Sequence, residues 1–222
     1  MVNGINDYEF QNDCVEFLIN KTFEADSKPV ITIKAPTGAG KTVVLIKYVD
    51  EYLMNSDGRT AFVWLCPGKG DLEQQSKNSM DELTPHLDTR NLLYSMLMGF
   101  EGGSITFINW ELVTKKGNNA LKDSERANLF EMIAVAHKEG IKFVVIIDEE
   151  HMNNTKKADD IINAFAPKNI IRVSATAKKV PHYEFYEISE DEVINAGLIT
   201  SVIYHSFFNV TNTNFCTCDE IA

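Results

Sequence analysis

A chain of 222 residues that is 44% apolar is long enough for one large domain, or one domain with appendages, and too apolar to be intrinsically disordered. No apolar run reaches the length that crosses a bilayer. The net charge of −11 speaks against a free-standing nucleic-acid module, which is usually basic; such a partner must lie in a local groove or on a basic surface outside this chain. The opening residues, Met1 to Asp7, carry neither the basic nor the apolar stretch of a secretory signal. Cys14, Cys66, Cys216 and Cys218 have no disulfide-framework spacing, so a reducing, cytoplasmic setting is expected.

In chain order, apolar strand-like runs alternate with amphipathic stretches, the pattern of a parallel sheet covered by helices. Tyr8 to Asn20 places Phe10, Cys14, Phe17 and Leu18 at helical spacing. Val30 to Lys34 is a short β-rich run, and Thr42 to Leu53 is helical, with Val44, Leu45, Tyr48, Val49 and Tyr52 on one side. Thr60 to Leu65 is the next strand, Asp71 to Leu83 a helix with a thin apolar face, and Ser104 to Ile108 a third strand. The polar stretch Lys115 to Arg126 is expected to be an exposed loop or insertion. Leu129 to His137 is helical, and Lys142 to Ile147 is continuously apolar, as a strand buried on both faces must be. Lys156 to Phe165 is a helix and Ile170 to Ser174 a strand. From Tyr183 the text becomes acidic, and Glu184 to Glu192 is expected to be solvated strand and turn.

Ala35-Pro-Thr-Gly-Ala-Gly-Lys-Thr42 lies between a predicted strand and a predicted helix, the context that makes such a run a phosphate-binding loop. Thr37, Gly38, Ala39 and Gly40 form a turn whose backbone N–H groups can face phosphate oxygens, and the helix start favours an anion. Lys41 supplies a point charge for the β- and γ-phosphates, and the Thr42 hydroxyl can hold Mg²⁺. Val144 to Ile147 leads into Asp148-Glu-Glu-His151, placing acids at the C-terminal end of a core strand, where α/β proteins form their ligand crevices. Asp148 would hold the metal shell and Glu149 would polarise the attacking water. His86, His137, His182 and His205 show no metal spacing, and Cys216 and Cys218 have no second pair to complete a metal site.

Asp148-Glu-Glu-His151, together with the loop that starts at Ala35 rather than Gly, resembles the Asp-Glu-x-His helicases of superfamily two. Ser174-Ala175-Thr176 resembles that family's third motif and Tyr8 to Leu18 its glutamine motif. Ile105 to Val113 and Asp191 to Ile199 are most similar to the Res subunit of type III restriction enzymes. The resemblance implies an α/β RecA-like lobe, with a central parallel sheet and helices on both faces, over residues 1–187, and the start of a linker or second lobe over 188–222. It implies ATP and Mg²⁺ as cofactors, with Gln11 reading the adenine edge. His151, Ser174, Ala175 and Thr176 would couple the nucleotide to the facing lobe. Pro67, Gly68, Asn109 and Trp110 would line the nucleic-acid path. The implied activity is Mg²⁺-dependent ATP hydrolysis, weak in this chain alone, driving a DNA helicase or translocase of a restriction or repair system. Implied partners are nucleic acid, DNA rather than RNA, a second helicase lobe, and a methyltransferase or specificity subunit, with no membrane. Two other classes fit a phosphate loop: an ATPase acting on RNA or protein, and a nucleotide-binding module without turnover.

Overall fold

The computed structural model describes residues 7–25, 27–67, 71–110, 123–148, 156–199, 205–207 and 218–220. Helix α1 (Glu9–Phe23) is followed by β1 (Val30–Lys34), α2 (Lys41–Asn55), β2 (Thr60–Cys66) and α3 (Leu72–Leu83). Next come β3 (Asp88–Asn91), α4 (Leu92–Met98), β4 (Ser104–Asn109), α5 (Asp123–Lys138), β5 (Lys142–Asp148) and α6 (Lys156–Phe165). The chain continues through β6 (Asn169–Ser174), β7 (Glu184–Glu187), α7 (Glu190–Asn195), β8 (His205–Phe207) and β9 (Cys218–Glu220). Seven strands form one sheet in the order β3-β4-β2-β5-β6-β1-β7, and β8 pairs with β9 in a separate antiparallel ladder. Every pairing in the large sheet is parallel. The expected RecA-like α/β architecture is therefore present.

Alternation along β2 shows why both faces need helices. Phe62, Trp64 and Cys66 belong to a core shared with α1, α2 and Met80 of α3. Ala61, Val63 and Leu65 belong to a second core shared with α4, α5 and α6. A strand whose side chains alternate between two apolar layers must itself be apolar throughout. Aromatic rings fill both layers. Trp64 stacks on Phe107 with centroids 5.3 Å apart, and Tyr48 and Tyr52 meet Phe62 edge-on. On the other face Phe100, Phe143 and Phe165 contact one another edge-to-face. Each such side chain contributes roughly 1.5–3 kcal/mol through burial.

The helices and strands predicted before Ser174 are present at or near their expected bounds, and two elements appear that the sequence text conceals. β3 is polar because it is an edge strand. Its Arg90 is buried, but ion-paired to Asp88 and Glu101. α4 reads Leu-Leu-Tyr-Ser-Met-Leu-Met, with no polar face to reveal a period, and Asn91 starts it by accepting a hydrogen bond from the Tyr94 N–H at 2.8 Å. Two expectations are corrected. Residues 123–126 open α5 instead of continuing an exposed loop; the rest of that stretch lies outside the described residues. The acidic run is strand only to Glu187, and from Glu190 it is helix, opened by a reciprocal cap between Ser189 and Glu192. Its carboxylates face solvent, yet Ile188 and Val193 enter the first core, so the chain beyond residue 187 still packs on this lobe. No helix among the described residues is long and apolar enough to cross a membrane.

Candidate active site

In a parallel sheet all C-terminal strand ends lie along one edge, so loops from distant parts of the chain become neighbours there. Lys34 of β1 is in register with Ser174 of β6, and Asp148 of β5 with Val173. The phosphate loop, the Ser174 turn and Asp148 therefore leave three adjacent strands. Farther along, Cys66 of β2 is in register with Asn109 of β4, which sets Pro67 and Trp110 on the same edge.

The phosphate loop is built by its glycines. Gly38 and Gly40 have φ of 88° and 76°, and Gly40 caps α2 in the left-handed conformation. A side chain at either position would be strained and crowded. A Cβ on Gly40 would come within 2.5 Å of Gln11 Nε2, and one on Gly38 within 2.6 Å of Ile199 Cγ2. Gln11 Nε2 donates to the Ala39 carbonyl at 3.0 Å, and Gln11 Oε1 is buried without a hydrogen-bond partner among the described residues. Ala39 is fully buried, and Thr37 and Gly38 are exposed at the mouth. The Lys41 ammonium reaches back to the Ala35 carbonyl at 3.5 Å. Val44 N–H donates to the Gly40 carbonyl, so α2 begins immediately behind the loop, and its N-terminal amides and dipole face the cradle.

The neighbouring turn is tied directly to this loop. Ala35 N–H donates to the Ser174 carbonyl at 3.3 Å. Ser174 is buried; its Oγ accepts the Thr176 N–H at 3.2 Å and lies 3.3 Å from the Thr176 hydroxyl. Ala175 is half-buried and Thr176 exposed. Asp148 is half-buried. Its charge is felt one strand over, at Cys66, whose thiol is pushed far up, mainly by burial and then by the Asp148 carboxylate. Glu149 and His151 lie outside the described residues, as does Gly68.

Glycine amides, a lysine, a helix start and an Asp one strand removed fit a nucleotide polyphosphate with its metal. No three His, Cys, Asp or Glu side chains converge as a metal site among the described residues. Mg²⁺ is typically held by one or two protein oxygens, with phosphate and water completing its shell. Thr42 and Asp148 would be those ligands.

At the far end of the edge the named side chains are mostly inside. Pro67 is buried, Asn109 half-buried, and Trp110 only 3% exposed within the second core. A base cannot stack on a ring so enclosed, so Trp110 is a core residue here. Sequence reading missed Glu73. This first-turn residue of α3 accepts the Asn109 backbone N–H, and burial nonetheless holds its carboxyl above the usual glutamate range. It missed Ile199 as well. Each makes a contact with a residue distant in sequence.

Among curated proteins none matches this sequence. Solved structures do match in fold. The Sulfolobus solfataricus SWI2/SNF2 ATPase core in complex with dsDNA has a TM-score of 0.56 at 13% identity, covering 78% of this chain and 32% of that one. A nuclease-deletion mutant of the Type ISP restriction-modification enzyme LlaGI, in complex with a DNA substrate mimic, gives 0.55 at 14% identity over 88% of this chain and 21% of that one. The UvsW helicase from bacteriophage T4 gives 0.53 at 15% identity over 85% of this chain and 62% of that one. The chain thus spans less than two thirds of each of these structures. The family model described as "Type III restriction enzyme, res subunit" matches residues 5–179, across the glutamine helix, the phosphate loop, the Asp148 strand and the Ser174 turn, and the chain belongs to that family.

Proposed function

We propose that this chain is the ATP-binding lobe of a DNA-dependent ATPase, a helicase or translocase of a restriction or repair system. The observation that carries the reading is the phosphate loop strapped to the Ser174 turn beside Asp148 on one sheet edge. In this reading the loop amides and Lys41 hold the β- and γ-phosphates, and Thr42 and Asp148 hold Mg²⁺, which neutralises charge on the phosphate oxygens. Gln11 reads the adenine, its Oε1 being buried and without a partner among the described residues. Glu149 positions and polarises the attacking water. His151, Ser174, Ala175 and Thr176 pass the state of the γ-phosphate to a second helicase lobe. Pro67, Gly68 and Asn109 present the loops over which nucleic acid runs, with Trp110 holding them from below. DNA is the preferred nucleic acid, since two of the structures similar in fold are described as bound to DNA or to a DNA substrate mimic. A methyltransferase or specificity subunit is a further proposed partner.

Calorimetry with Mg²⁺-ADP and a non-hydrolysable ATP analogue tests the nucleotide site. Wild type should bind both. Lys41→Ala should weaken binding roughly 10- to 100-fold, the loss of a charge-assisted contact of about 1.5–3 kcal/mol. Equal affinity in the two proteins would overturn the reading. Binding of single-stranded DNA should be weak and fall steeply with salt; preference for RNA, or for neither nucleic acid, would point instead to an ATPase acting on RNA or protein.

A further inference from the structure

The described residues that follow α7 pass beside the phosphate loop. After α7 it reverses at Gly197, where φ is 73°. Gly197 N–H donates to the Ile194 carbonyl at 2.8 Å and Leu198 N–H to the Val193 carbonyl at 3.1 Å. That pair of bonds is a Schellman closure, and the apolar residues it brings together, Val193 and Leu198, both belong to the first core. The closure fixes the direction in which the next residue points. Ile199 packs partly buried against the same core, with its Cγ2 against the bare Cα of Gly38 and the Leu198 carbonyl just behind.

The phosphate loop is thus gripped from two sides. Gln11, on α1, holds Ala39 and abuts Gly40. Ile199, which follows α7, abuts Gly38. The first grip belongs to a helix packed in the core. The second belongs to the segment that carries the chain onward. Because Gly38 has no side chain, Ile199 meets its backbone with no side chain between them.

We propose that Leu198 and Ile199 form a strap that reads the phosphate loop, so that nucleotide occupancy alters the closure at Gly197. This rests on the nucleotide-binding reading above. Ile199 is a positioning residue and touches no reacting atom. The strap depends on the size of Ile199: a methyl in its place cannot span to Gly38, and Val keeps most of the contact.

Hydrogen exchange resolved to short peptides tests this on the 222-residue chain, with calorimetry run in parallel. The amides of Ala196, Gly197 and Leu198 have defined acceptors and serve as reporters. Mg²⁺-ADP should change exchange in the wild-type chain both at residues 37–42 and at residues 196–199, by several-fold at each. Ile199→Ala should bind ADP within about threefold of wild type, keep the response at 37–42 and lose it at 196–199. Ile199→Val should restore it. A merely structural role would alter thermal stability without altering the ADP response. The proposal is overturned if wild type binds ADP while 196–199 stay unchanged, or if folded Ile199→Ala retains the full response there. Failure of wild type to bind ADP at all would remove the nucleotide reading first and the strap with it.

Discussion

The two ends of the sheet edge are built on opposite plans. At β5, β6 and β1 the working groups are backbone amides and short polar side chains, held by bonds that cross between strands, such as Ala35 N–H to the Ser174 carbonyl. At β2 and β4 the side chains that a motif reading singles out, Pro67 and Trp110, are largely inside the core. At the first end the chemistry is carried by what the sheet fixes. At the second, the described side chains are taken up by packing. A mutation should therefore damage function without stability at the first end, and stability before function at the second.

The sharpest break of that contrast is Glu149→Gln in a full-length protein competent for turnover. Loss of a general base typically costs about 10²–10⁴ in rate, and nucleotide affinity and melting temperature should hold. Asp148→Asn should weaken Mg²⁺-dependent binding too. Phosphate release combined with calorimetry separates the two acids, and wild-type turnover by Glu149→Gln would transfer the role to Glu150.

Next in size is Trp110→Ala. Removing so large a core ring should cost about 3–5 kcal/mol in urea unfolding, whereas Asn109→Ala should cost under about 1 kcal/mol and weaken single-stranded DNA binding instead. A Trp110→Ala protein of unchanged stability that loses DNA binding would erase the distinction between the ends.

Glu73→Gln should act more gently and with a pH signature. Burial raises the folded carboxyl above the glutamate range, so folding takes up a proton between the unfolded and folded values. In that window stability falls as pH rises, and above it the full cost remains. The substitution should therefore raise the melting temperature near pH 7 and lose that advantage as pH falls below the ordinary glutamate value. A gain independent of pH would assign the effect to something other than the charge. The amide should also improve DNA binding by removing a carboxylate from an edge proposed to face phosphates.

The smallest effect is expected at Lys34 and Glu187, which pair at 2.6 Å on the outer side of β1 with 39% and 48% of their side chains exposed. Lys34→Met should change stability by less than about 1 kcal/mol at moderate salt. A larger loss in chemical unfolding would show that β7 depends on this pair more than on Ile188 in the core.

These contrasts also explain what was legible in the sequence. Val30 to Lys34 could be read as a strand from its β-branched residues, and Phe143 to Ile147 because burial on both faces forces an unbroken apolar run. The phosphate loop was legible because left-handed turns at Gly38 and Gly40 need glycine, and the charge of Lys41 has an obvious partner in phosphate. β3 was illegible because its one inward residue is Arg90, neutralised by partners on either side of α4. α4 was illegible because Leu93, Tyr94, Leu97 and Met98 leave its outer face as apolar as its inner one. The contacts of Glu73 with Asn109 and of Ile199 with Gly38 join residues far apart in the chain, and no local periodicity encodes them.

The place of β1 in the sheet has a consequence for biosynthesis. Its two neighbours are β6 and β7, so every backbone ladder bond it makes within the sheet waits for residues 169–187. The phosphate loop is therefore synthesised well before the two strands that flank β1. At a synthesis rate of about 5–20 residues per second, the nascent chain carries β1 without its ladder partners for several seconds. A nascent chain stalled before Asn169 should expose an unpaired β1 to chaperones, and nucleotide added to such stalled chains should give no protection from proteolysis until β6 and β7 have been made.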